Sequence, residues 1–148
     1  MRRFRFRLAS LLRLRSQMER AARKELALAM AEVNRFEQQI QAAARGLADC
    51  ADQASRSDSV GQLARSLEEG LRRHRWRLIR KRKSADQNLD TVRVEYMQKA
   101  RELKTLQRLR DQKHDEWRQD QIRAEQAEID EMALLTRSTE EGEDAWLA

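Results

Sequence analysis

The sequence predicts an all-α fold, a long antiparallel two-helix coiled-coil hairpin. Three observations carry that expectation. Apolar residues recur at alternating steps of three and four, turn-forming residues are scarce, and one cluster of small polar residues interrupts the pattern. Of the 148 residues, 38% are charged and 5% aromatic, Pro is absent and Gly occurs 4 times. Such a chain has too few bulky apolar side chains for a large core. A β-rich fold would need regular turns built from Gly, Pro, Asn and Asp. High charge with helical periodicity instead reads as coiled coil.

The first helix is expected at about 4–54. Leu26, Val33, Ile40, Leu47 and Ala54 recur every seven residues, and Ala22, Ala29, Phe36, Ala43 and Cys50 do the same, offset by four. That spacing is a coiled-coil seam. Upstream, Phe4, Leu8, Leu11, Met18 and Ala22 continue the apolar stripe, with Arg15 interrupting it. The step from Met18 to Ala22 to Leu26 reads as a local stutter. Cys50, the single cysteine, is expected as a small seam residue rather than a reactive thiol. It also excludes an intramolecular disulfide framework and favours a reducing compartment.

The turn is expected at about 55–61, Ser55-Arg56-Ser57-Asp58-Ser59-Val60-Gly61. Ser and Asp compete with helix by bonding to local backbone, and Asp58 or Ser59 can cap the second helix. That helix is expected at about 62–135, starting its apolar pattern at Leu63. Leu71, Leu78, Ala85, Val92 and Leu106 form one series, and Leu89, Tyr96 and Leu103 the other. The seam then thins through Lys99, Arg110 and Lys113 to Trp117, which serves either as a gap filler or as a partner anchor. An acidic, frayed tail is expected over 136–148, and the whole of 1–148 as one domain. The second arm is the longer, so either it overhangs the first or the tip folds back before Gly70.

Charge is segregated. Residues 1–24 carry nine positive charges and one negative, residues 72–83 eight positive and none negative, and residues 125–148 eight negative and one positive. In a hairpin the basic start meets the acidic finish, which supports the antiparallel reading. No phosphate loop, nucleophile elbow or metal-binding pair occurs, so no enzyme, cofactor or metal is expected. The apolar run Leu8–Leu12 is cut by Arg13, too short for a cleaved secretory signal, and no run reaches the ~20 residues of a membrane span. The stretch RRHRWRLIRKRK at 72–83 could meet nucleic acid or anionic lipid. A solvated face is the favoured reading there, and no nucleic-acid partner is expected.

The opening Phe4-Arg5-Phe6-Arg7-Leu8, then Leu11-Leu12-Arg13-Leu14-Arg15, then Glu19 and an Ala-rich helix, resembles the flagellar export protein FliJ family. Lys104 to Arg110 and the acidic stretch Glu128–Ala133 are similar to that family's C-terminal helix. The resemblance implies a non-catalytic central stalk of the flagellar type III export apparatus. Its implied partners are a hexameric, FliI-like export ATPase, a FlhA-like export gate and export chaperones. The implied location is cytoplasmic, peripheral to the inner membrane through those partners.

The resemblance also implies site residues. Phe4, Leu8, Leu11, Leu12 and Arg15 are the candidates for ATPase binding. Gln39, Leu63, Leu67 and His74 are the candidates for gate binding, with Leu63, Leu67, Gly70 and His74 forming one stripe. Leu63 and Leu67 could instead simply close the hairpin tip. An injectisome stalk, a generic coiled-coil scaffold and a basic helical nucleic-acid module are the alternative readings.

Overall fold

A computed structural model describes residues 3–146, with side chains to residue 137. It is an all-α hairpin of two helices, α1 at Ala9–Ala54 and α2 at Ser59–Trp146, with no strand among the described residues. The packing divides the chain into two units. One comprises Leu14–Glu102 and the other Met1–Arg13 with Leu103–Ala148.

In the Leu14–Glu102 unit the helices pack along the expected seam. Ala29, Phe36, Ile40, Ala43 and Cys50 are buried from α1, and Ala64, Leu78, Ala85 and Leu89 from α2. Phe36, Ile40, Leu78 and Ala85 form one cluster, with Val33 packed against it. The register is antiparallel, because partners ascend one helix as they descend the other. Arg15 pairs with Glu102, and Glu37 with Arg82 at 2.7 Å. A Cβ at Gly46 would stand 3.2 Å from Leu71 Cδ1, which marks a close approach of the helices.

Two expectations for the seam are corrected. Met18 is half-buried, but the buried residue next to it is Glu19. Extending the steps of three and four upstream from Ala22 leads to Glu19 and Arg15, and Glu19 is buried while Arg15 is half-buried. Charge in the seam is tolerated because it is paired. Arg15 meets Glu102, and Arg23 donates to Glu19 Oε1 from Nη2 at 2.6 Å. The Glu19 carboxylate, by hydrogen bond and then by charge, raises the pKa of Arg23 above the ordinary guanidinium value. On α2 the seam starts at buried Ala64, not at Leu63. Leu63 and Leu67 are 71% and 56% exposed, so they do not close the tip.

The turn is held by local bonds. The Gly61 N–H donates to Asp58 Oδ1 at 3.2 Å, so of the two candidate caps Asp58 is the one that acts. Arg65 Nη1 donates to the Ala54 carbonyl at 2.8 Å and satisfies an orphan acceptor at the end of α1. Gly61 is buried against the turn, and a Cβ there would lie 1.9 Å from the Arg56 carbonyl oxygen. The turn is shorter than expected, since α2 begins at Ser59.

In the other unit, α1 begins at Ala9 rather than near residue 4, and residues 3–6 are non-helical. Charge disfavours an earlier start. Arg3, Arg5 and Arg7 would crowd the positive end of the helix dipole, and the first turn holds no acidic residue. At the far end α2 continues to Trp146, through the region expected to fray from 136, while residues 147–148 lie outside the described residues. Every described side chain from 123 to 137 is exposed, and Ile122 is 54% exposed. The second arm therefore outruns its packed stretch, as the overhang alternative requires.

Candidate functional site

The Met1–Arg13 and Leu103–Ala148 unit carries an aromatic cluster. The non-helical start places the Phe4 ring edge-on to His114, with centroids 5.2 Å apart and planes at 88°. Trp117 lies 5.8 Å from Phe4 and 5.7 Å from His114. These are favourable aromatic geometries, worth about 0.5–1.5 kcal/mol each beyond area burial. Trp117 is half-buried, with part of its ring left facing the surface. Beside the cluster is an open cleft of about 920 Å³, bordered by Phe4, Phe6, Leu8, Leu109, Lys113 and Trp117 with Arg3, Arg5 and Arg7. Asp120 and Gln121 complete the lining, so apolar side chains stand there beside four cations and one carboxylate.

The candidate ATPase-binding residues are distributed as follows. Phe4 is half-buried in the cluster, and Leu8, 38% exposed, lines the cleft. Leu11 is 36% exposed and Leu12 half-buried. Arg15 belongs to the other unit, where its guanidinium is committed to Glu102. Sequence reasoning missed His114, Leu109 and Lys113 as neighbours of Phe4. Helical spacing alone does not pair Phe4 with His114, because residues 3–6 are not helical.

In the Leu14–Glu102 unit, Gln39, Leu63, Leu67 and His74 are all exposed. No hydrogen bond or ion pair among the described residues joins Gln39 to the other three. Gly70, on the same stripe, would have nothing within 4 Å of an added Cβ, so that face of α2 is open. A third surface lies on α2 around Trp76, which is 66% exposed, with Arg80 stacked 6.0 Å from its ring centroid. Among the described residues no cluster of His, Cys, Asp and Glu could hold a metal. None of the described helices is long and apolar enough to cross a membrane.

Two long packed helices whose candidate sites are surface patches define a helical coiled-coil protein. A model of the flagellar FliJ protein family matches residues 4–142. The chain therefore belongs to the flagellar FliJ family and is a component of the flagellar export apparatus. No curated protein and no solved structure matches the chain significantly.

Proposed function

We propose that this chain is the non-catalytic central stalk of the flagellar export ATPase, working in the cytoplasm at the inner membrane. It couples the hexameric ATPase to the export gate and escorts export chaperones. The observation that carries this reading is the exposed apolar surface of the unit built from the chain ends. Leu8 and Leu11 near the start, and Ile122, Ile129, Met132 and Leu134 on α2, remain exposed. At 100° per residue, Leu134 falls about 160° round α2 from Met132, so these side chains are not confined to one face. A partner that surrounds the element, as a ring does, would cover all of them. The chain contributes no chemistry of its own there and acts by binding one ring conformation better than another. Phe4, Leu8, Leu11 and Leu12 supply the ATPase contacts, and Arg15 holds the first helix beside Glu102.

Gate binding is assigned to Leu63, Leu67, His74 and Gln39. Its support is that these side chains are exposed and are not needed to close the tip. Deletion of residues 1–15 is expected to abolish stimulation of the ATPase and ring assembly while gate binding persists. The double change Leu67→Ala with His74→Ala is expected to lose gate binding with helicity and melting unchanged. Unchanged ATPase stimulation in the deletion would overturn the first assignment. Retained gate binding in the double variant would overturn the second.

A further inference from the structure

The stretch 72–83 of α2 carries eight positive charges and no negative one, and the nearest acidic neighbours along the chain are Glu69 and Asp86. Part of this charge is neutralised internally. Arg72 pairs with Glu68, Arg73 with Glu69, and Arg82 with Glu37 and Asp86. Arg75, Arg77, Arg80, Lys81 and Lys83 have no ion-pair partner among the described residues. Set among them are Trp76 and Ile79, 66% and 41% exposed. Trp76 lies about 160° round the helix from buried Leu78, so it points away from α1. Ile79 follows at i+3 and shares that outward face. The gate stripe at Leu63, Leu67 and His74 lies elsewhere on the circumference.

An outward face that joins an indole, an aliphatic side chain and surplus Arg and Lys has no role in holding the hairpin together. Its composition matches the interface of an anionic bilayer. There Trp settles at the headgroup level, a short apolar side chain reaches the acyl boundary, and cations meet lipid phosphates. A single-stranded nucleic acid would need a groove along its backbone and successive stacking rings. Here one ring stands on a convex helix, and Ile79 offers a base nothing to stack on. We infer that the Trp76–Ile79 face of α2, flanked by Arg75, Arg80 and Lys83, docks directly on an anionic phospholipid surface. The inference is independent of the stalk reading, in which any membrane association runs through partner proteins.

The test uses the full chain with Trp117→Phe and Trp146→Phe, so that Trp76 alone reports. The probes are phosphatidylcholine vesicles with and without about one part in three phosphatidylglycerol. Flotation is expected only with phosphatidylglycerol and is expected to weaken as salt rises. Trp76 emission should shift to the blue and be quenched by brominated lipid. Arg75→Gln, Arg80→Gln and Lys83→Gln together should lower vesicle partitioning roughly a hundredfold, with helicity by circular dichroism unchanged. Arg3→Gln, Arg5→Gln and Arg7→Gln together should lower it far less. Absence of flotation, Trp76 left unquenched, a greater loss from the N-terminal triple variant, or tighter binding to single-stranded DNA at the same salt would each overturn the inference.

Discussion

Gly61 and Gly70 lie nine residues apart on one helix and should respond to alanine with opposite signs. Gly61 is held against the turn, where an added Cβ would meet the Arg56 carbonyl oxygen at 1.9 Å. The backbone there must move, and such overpacking costs about 1–3 kcal/mol. At Gly70 a Cβ meets nothing within 4 Å, so alanine brings only its helix preference, about 0.5–1 kcal/mol. Thermal melting should therefore fall for Gly61→Ala and rise for Gly70→Ala. A fall of equal size in both would contradict the packing at the turn. Individual side chains are the least legible level of the sequence. An apolar rule ranks Met18 above Glu19, yet Glu19 is the buried residue. Only its partner Arg23, in the same helix, makes burial of that carboxylate tolerable. Leu63 and Leu67 mislead in the opposite direction, since their size suggests core while the smaller Ala64 occupies the buried position.

The two helices and the turn are legible because they rest on repetition. Over 22–54 one alternating spacing recurs without a break, and its members are buried or half-buried on α1. The helix ends are less so. Charge beside the helix terminus disfavours a start of α1 before Ala9, an effect that apolar spacing does not register. α2 runs to Trp146 through a segment whose composition alone suggests fraying. The register is set by the turn and is directly testable. Ile40 and Leu78 share one cluster, so Ile40→Cys with Leu78→Cys, in a chain carrying Cys50→Ser, should link within a single molecule through a short bis-maleimide. The linked species should migrate as a monomer at every protein concentration. Only intermolecular products would contradict the hairpin.

At the level of the whole molecule, the family is legible in the first fifteen residues and the acidic last stretch of α2, and the family match spans residues 4–142. The candidate sites are only partly legible. Phe4 and Leu8 meet at one cleft, but Lys113 and Leu109, which complete it, come from a distant stretch that composition does not connect to the start. We propose that one copy of this chain occupies the axis of an ATPase ring. Apolar side chains exposed on more than one side of the terminal unit fit enclosure better than attachment to an outer face. The most direct measurement is the subunit stoichiometry of the complex, taken by native mass spectrometry on purified chain and export ATPase with a non-hydrolysable nucleotide. One copy of the chain per ATPase hexamer is the expected result. One copy per ATPase subunit, or a ring that forms without retaining the chain, would contradict the claim.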